Sequence, residues 1–308
     1  MEVPLPTTRR ASPHGGHDRP AERPPTAAPE PHLVIEPTSG WRLVDWRELV
    51  AYRDLFWLLA MRTVTVKYKQ TVLGFAWAVI RPFFSMIVFS VIFGALAGVP
   101  TDGVPQPVFY LAGLLPWQFF SSSMTGATTS LTSNKALLTK VYFPRLIIPT
   151  TPVLSNLVDF VIAFGLLAVV MAVYGVVPTW GVLALPLLVA VLIATSVGVG
   201  LWLSALSVQY RDVAQAMSFA TQLLMYAAPV VWPVSLITEK LPVWGETLRL
   251  VYGLYPVAGV IEGFRAALTG STPMPWDLIA LGALSAVVIL VTGALYFRRM
   301  EKRFADVA

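Results

Sequence analysis

Apolar positions in this chain do not alternate, and over long stretches they show no polar face: they run nearly unbroken. Six uncharged or nearly uncharged stretches, about 82–98, 106–128, 149–174, 180–206, 213–236 and 278–297, are each long enough for a helix to cross a bilayer. The turn "GVVPTW", with Gly175 and Pro178, divides the third from the fourth. Between the fifth and sixth lies 237–277, which is too charged to be one span. Its apolar piece from Val257 to Ile261, even extended by Phe264 to Leu268, is too short to cross. The pattern predicts two short re-entrant helices there, dipping into the outer leaflet and returning. Glu262 and Arg265 fall one helical turn apart and are expected to pair at a wet surface. Irregular backbone at that depth is tolerable only against protein or a watery cavity, so the segment is expected to cap a cavity as a lid.

Ahead of the first span, "DWRELVAYRDLFWLLAMRTVTVKYKQ" (45–70) places Trp46, Leu49, Val50, Phe56, Trp57 and Ala60 on one helical face, with Arg47, Glu48 and Asp54 opposite. That is the pattern of a helix lying in the membrane surface. Arg53 falls on the apolar face and must snorkel. The expected fold is all-α and polytopic: six transmembrane helices, an N-terminal amphipathic interface helix, and two short re-entrant helices between spans five and six. Its divisions are a tail over 1–40, the interface helix and basic lead-in over 41–70, a six-span domain over 71–300 with the re-entrant segment 237–277, and a tail over 301–308.

Composition sharpens this picture. Only 13% of the 308 residues are charged and 56% are hydrophobic, against about 25% charged in soluble domains, so the chain is an integral membrane protein. The absence of cysteine excludes disulfides, thiolate nucleophiles and cysteine metal sites. The three histidines, His14, His17 and His32, all lie in the first 40 residues, which leaves none in the membrane for a proton relay or a metal. Those 40 residues hold nine prolines and are expected to be disordered. They lack the apolar core of a signal peptide, so no cleavage is expected. Charge sets the orientation. From residue 41 onward, fifteen Lys and Arg fall in 41–81, 131–146, Arg211 and 298–308, against three on the other side: Lys240, Arg249 and Arg265. The positive-inside rule places the fifteen, and both termini, in the cytoplasm.

Four features are candidates for chemistry. Arg62, Lys67, Lys69 and Arg81 gather at the cytoplasmic boundary; they fit simple anchoring, and they also suit an anionic lipid head group such as a pyrophosphate. The loop "NKALLTKVYFPR" (134–145) has room for two to three helical turns and carries only positive charge, a lever for a cytoplasmic partner; "QYRDV" (209–213) offers a second contact. In span two Gln118, Ser122, Thr125, Thr129 and Thr132 make one polar stripe, echoed in span five by Gln215, Ser218 and Gln222 leading to Tyr226. Such residues mark helix packing in membranes, or the wall of a hydrophilic passage suited to sugars. Asp159, the one acid well inside a span, is expected to hold a hydrogen-bonded structural role. There is no Walker A sequence and no HExxH, so the ATPase of any active transport must be another chain.

Five blocks in order, "YKQTVLGFAWAVIRPFFSMIVFSVIFG" (68–94), "YLAGLLPWQFFSSSMTGATTSLTSNKALLTKVYFPRLIIP" (110–149), "VQYRDV" (208–213), "APVVWP" (228–233) and "YPVAGVIEGFRAALTG" (255–270), closely resemble the permease subunits of polysaccharide ABC exporters. Tyr255 stands where that family usually has Asn before the proline. The resemblance implies a subunit, not itself an enzyme, that moves a lipid-linked polysaccharide (O-antigen, capsule, galactan or teichoic acid type) across the bacterial inner membrane. It implies a homodimer joined to two nucleotide-binding subunits, which would hold ATP and Mg, with no cofactor, metal or nucleic acid on this chain. Lys135, Leu138, Lys140, Tyr142, Arg145 and Arg211 would then couple to the ATPase, Gln118, Ser122, Thr125, Thr129, Gln215, Ser218, Gln222 and Tyr226 would line the channel, and Glu262 and Arg265 would stand at the exit gate. The rival readings are an ABC permease for a small lipophilic drug or lipo-oligosaccharide and a polytopic membrane glycosyl- or acyltransferase.

Overall fold

The computed structural model describes residues 50–69, 71, 73–135, 137, 143–241 and 243–307, with side chains through 301. Among these residues every regular element is helical, as backbone groups deprived of water require. In chain order they are α1 (Arg53–Lys69), α2 (Ala76–Phe89, running on as the π-helical Ser90–Leu96), α3 (Gln106–Ser133), α4 (Ile147–Val173), α5 (Leu185–Gln209, led in by the 3-10 turn Trp180–Ala184), α6 (Asp212–Ala227), α7 (Ser235–Lys240), α8 (Gly245–Gly253), α9 (Pro256–Thr269) and α10 (Trp276–Val307).

Four stretches are long and apolar enough to cross a membrane: Ala76–Leu96, Ile147–Val173, Trp180–Gln209 and Trp276–Glu301. The other two expected spans form helices but fail by composition or by length. At 28 residues α3 is long enough, yet its second half is studded with hydroxyls from Ser121 to Ser133. At 16 residues α6 reaches about 24 Å, short of a hydrocarbon core of about 30 Å.

The core is built around α3, whose residues Val108 to Trp117 are all buried and which packs against α2, α4, α5, α6 and α9. Two of its buried hydroxyls are satisfied locally: Thr128 donates to the Met124 carbonyl at 2.7 Å and Ser130 to the Ala127 carbonyl at 2.6 Å. Helices α5 and α10 meet backbone to backbone. A Cβ at Gly198 would lie 2.7 Å from Leu290 Cα, the close approach that small residues permit between helices in lipid. Trp202 stacks on Tyr296 beside this seam, ring centroids 4.4 Å apart.

The segment expected to be a lid forms three short helices rather than two, α7, α8 and α9, of which only the last is part of the core: every residue of α9 from Pro256 to Leu268 is buried against α3, α5 and α10. The expectation that Glu262 and Arg265 pair at a wet surface is therefore corrected. They do pair, at 3.0 Å, but with Glu262 only 9% and Arg265 3% exposed. The guanidinium lies over the Phe109 ring, 3.6 Å from its centroid, and donates to the Val230 carbonyl at 2.8 Å and weakly to the Phe109 carbonyl at 3.4 Å. Glu262 accepts from the Val234 N–H at 3.3 Å. The pair thus satisfies the backbone of the non-helical stretch after α6. Gly113 leaves the room: a Cβ there would lie 2.6 Å from Arg265 Nη2. The sequence pattern missed this because a short, charged helix reads as surface unless its partners, more than 25 residues away, are known.

Arg265→Leu strands a buried carboxylate and two backbone partners. It is expected to destabilise the protein by roughly 3–5 kcal/mol, read as a fall in melting temperature in detergent. The double change Glu262→Gln/Arg265→Leu is expected to recover part of that loss.

Candidate functional site

The stripe on α3 opens onto three cavities that share walls. The first, of about 520 Å³, is lined by Lys67, Tyr68, Trp77, Arg81, Gln118, Ser122, Asn156, Asp159 and Phe160 among others. The second, of about 490 Å³, lies between α3 and α6 and is lined by Trp117, Ser121, Ser122, Thr125, Gly126, Ser218, Thr221, Gln222 and Met225. The third, of about 460 Å³, is lined by Arg62, Lys67, Ser122, Gly126, Thr129, Asn134 and Asn156, with apolar residues of α1 and α4. Ser122 borders all three cavities, and Lys67 and Asn156 join the first to the third. The result is one polar track along the open face of α3.

This divides the hydroxyls of α3 into two sets. Ser123, Thr128 and Ser130 are buried and serve packing; Ser207 of α5 donates to the Thr128 carbonyl at 2.5 Å. Ser122 and Thr125 are exposed, and Gln118 and Thr129 half-exposed, along the track. The structure therefore brings Gln118, Ser122, Thr125, Thr129, Ser218 and Gln222 to the cavities, as the spacing implied. Gln215 and Tyr226 are exposed on α6 but border none of the three.

The charged side of the track is made by α1 and α4. Helix α1 packs on α4 through an i, i+4 row, Ala60, Val64 and Tyr68, each buried. That row carries Lys67 and Tyr68 to Asn156 and Asp159, which stand one turn apart on α4. Lys67 pairs with Asp159 Oδ2, and the Tyr68 hydroxyl donates to Oδ1. Lys67 also reaches the Asn156 side-chain oxygen at 3.3 Å, and Asn156 Nδ2 donates to Ser123 Oγ at 3.4 Å. Burial, reinforced by the bond to Asp159, holds the Tyr68 proton well above the usual phenol range, so Tyr68 remains a donor. Across the cavity Arg81 lies 5.8 Å above the Trp77 ring and makes no ion pair among the described residues. The cavity therefore offers two cations, one carboxylate already paired, neutral hydroxyls and amides, and an indole face. That inventory matches a phosphate joined to something rich in hydroxyls.

Of the four basic residues expected at a head group, Lys67 and Arg81 share the first cavity, Arg62 borders the third, and exposed Lys69 borders none of the three. The amphipathic face expected over 45–60 is split. Phe56 and Ala60 turn to protein while Val50 and Trp57 are exposed, because the i, i+4 row on α4 claims one side. Arg53 is exposed beside Asp54, at 3.5 Å; Trp46, Arg47, Glu48 and Leu49 lie outside the described residues. So do Leu138, Lys140 and Tyr142 of the expected lever. Lys135 and Arg211 are exposed, and Arg145 donates to the Glu301 carbonyl at 2.8 Å, tying that loop to α10.

Sequence reasoning left Asp159 without a basic partner, and it passed over Tyr68 and Asn156. The signals were present: Asn156 and Asp159 are spaced for one helix face, and Lys67 and Tyr68 continue the buried row of α1. What sequence alone lacked was the pairing of helices 92 residues apart.

The profile of the family described as "ABC-2 type transporter" matches residues 54–269. The chain is 31% identical to the O-antigen export system permease protein RfbA of Myxococcus xanthus over 262 residues, covering 84% of this chain and 97% of the relative. It is 27% identical to the Klebsiella pneumoniae protein of the same name, over 82% and 95% of the two chains. With the polysialic acid transport protein KpsM of Escherichia coli it shares 24% identity, over 79% and 92%.

Because the chain has no cysteine, single cysteines can map the track. Ser122→Cys is expected to react readily with a small polar thiol reagent in membranes, while the adjacent Ser123→Cys, whose position is fully buried, stays protected. Equal labelling would remove the open face of α3.

Proposed function

This chain belongs to the ABC-2 type transporter family, and we propose that it is the transmembrane subunit of an exporter that carries a lipid-linked polysaccharide out of the cytoplasm. The observation that carries this reading is the polar track along α3, where cavities holding Lys67, Arg81 and Arg62 adjoin one lined by neutral hydroxyls and an amide. Relatives named for O-antigen export and polysialic acid transport support it. A sugar polymer bears many hydroxyls, each costing several kcal/mol if bared in hydrocarbon, so its path must be polar and continuous.

In this reading α3 crosses the membrane as the second of six spans, and α6, continued by the 228–234 stretch, crosses as the fifth, their polarity tolerated because they face the path. Two copies enclose that path in the inner membrane, both termini cytoplasmic. ATP and Mg bind two separate nucleotide-binding subunits, which press on the 134–145 loop and Arg211. Lys67 and Arg81 receive the phosphate-bearing head group of the lipid carrier, with Arg62 on the approach. Glu262 and Arg265 act at the exit by holding the 228–234 stretch in place rather than by moving, and the α7–α9 segment closes the outer end. A small lipophilic substrate would have no use for two cations beside a hydroxylated groove.

Replacing Gln118, Ser122 and Thr125 together with Leu is expected to abolish surface polymer while leaving the amount of assembled complex unchanged, measured by polymer immunoblot and co-purification. Normal surface polymer would return the stripe to packing alone.

A further inference from the structure

We infer that the Lys67–Asp159 pair is a switch worked by the substrate: a phosphate or pyrophosphate group arriving in the 520 Å³ cavity takes Lys67 from Asp159 and so loosens α1 from α4. The inference rests on the reading of that cavity as a head-group site. It answers a question which that reading leaves open, namely why a site for an anion contains a carboxylate. A fixed negative charge a few ångströms from an incoming phosphate opposes binding. In the empty cavity, however, Asp159 neutralises one of two neighbouring cations.

The geometry lets that role end without leaving a stranded charge. Lys67 holds one carboxylate oxygen and Tyr68 the other. When the lysine leaves, the carboxylate keeps its phenol donor, whose proton is firmly held. The Lys67 side chain is 37% exposed and carries its charge on a flexible four-carbon stem. Arg81, without a carboxylate partner among the described residues, supplies the other half of the anion clamp. What Lys67 gives up is an attachment between helices, not a local contact, since its partners lie on α4. The other end of α1 packs through Phe56 and Leu59 into a cluster with Phe143, Leu146 and Met300, next to the loop tied to α10 by Arg145. One helix therefore touches the cavity at Lys67 and the inner apolar cluster at Phe56. Both ends bias the same element, which coupling between them requires.

The test uses the full complex with its nucleotide-binding subunits in nanodiscs, with a fluorophore on Thr65→Cys, an exposed position of α1. Three probes are added: a polyprenyl pyrophosphate, the matching polyprenol, and inorganic pyrophosphate. The expected result is a several-fold rise in ATP hydrolysis and a fall in α1 anisotropy with the polyprenyl pyrophosphate and not with the polyprenol. A matching response to inorganic pyrophosphate would assign the trigger to free phosphate rather than to the lipid head group. Asp159→Asn is expected to raise basal hydrolysis and loosen α1 without any probe, shrinking the response. The charge exchange Lys67→Asp/Asp159→Lys rebuilds a lysine–carboxylate pair between α1 and α4 in the same cavity as Arg81, so it is expected to lower basal hydrolysis again and to recover a pyrophosphate response that Asp159→Asn lacks. Should the exchange stay unresponsive while melting like the unmodified protein, or Asp159→Asn respond as the unmodified chain does, the pair is a structural staple and the switch is overturned. Should the unmodified complex bind no pyrophosphate at all, the head-group reading falls and takes the switch with it.

Discussion

Inside hydrocarbon there is no water to accept or donate a hydrogen bond, so each polar group of this chain must find its partner within the protein or open onto a cavity. The helices meet that demand for most of the backbone. Along α3 the hydroxyls of Thr128, Ser130 and Thr132 meet it by bonding carbonyls of their own helix. Where the chain leaves helical geometry after α6, side chains take over: the Val230 carbonyl is served by Arg265 and the Val234 N–H by Glu262. The buried pair is less a source of net stability than the condition on which a broken helix can sit in the core. Charged groups at such depth repay desolvation only when further hydrogen bonds support the pair, and Arg265 bonds once through each of its three nitrogens, to Phe109, Glu262 and Val230.

The second acid–base pair obeys the opposite logic. Lys67 and Asp159 face a cavity, with side chains 37% and 24% exposed, so the dielectric around them is higher and their mutual attraction weaker. Glu262–Arg265 is enclosed and shared with the backbone on both sides; Lys67–Asp159 is open, and the lysine is its movable half. Two acid–base pairs of similar composition therefore suit two tasks, one fixed and one exchangeable, and burial alone separates them.

Legibility from sequence followed the range of the interactions. The long apolar runs, the polar spacing of Gln118, Ser122, Thr125 and Thr129, and the clustering of Lys67 with Arg81 are local facts, and the structure keeps them: helices form where the runs lie, and the stripe borders the cavities. Errors arose where meaning depends on a distant partner. A 14-residue helix holding Glu262 and Arg265 has the composition of a surface segment, and only Phe109, Val230 and Val234 reveal it as core. Asp159 looked unpaired because its cation sits on another helix, and Phe56 looked lipid-facing because α4, which claims its side, is invisible in a helical wheel. Spans two and five illustrate the limit from the other direction. For α3 the hydroxyls and amide that qualify it as the wall of a path are what remove it from the apolar spans, while α6 drops out because its helix is only 16 residues long.

That last point bears on what must cover α6. Its exposed side mixes Gln215, Ser218 and Gln222 with Phe219, Leu223 and Tyr226. Ser218 can turn its hydroxyl to the Gln215 carbonyl at 3.0 Å, but each glutamine amide carries two N–H donors that helix carbonyls, already engaged, do not absorb. Against lipid those amides would be bare, at a cost of several kcal/mol each; against bulk water the phenylalanine, leucine and tyrosine would be the misplaced residues. A surface of this mixed kind is at ease only where protein and water meet, along a seam between subunits that encloses a wet path. The mixed character of α6 thus fits the subunit seam proposed above better than a lipid-facing position, and it does so from the chemistry of six side chains.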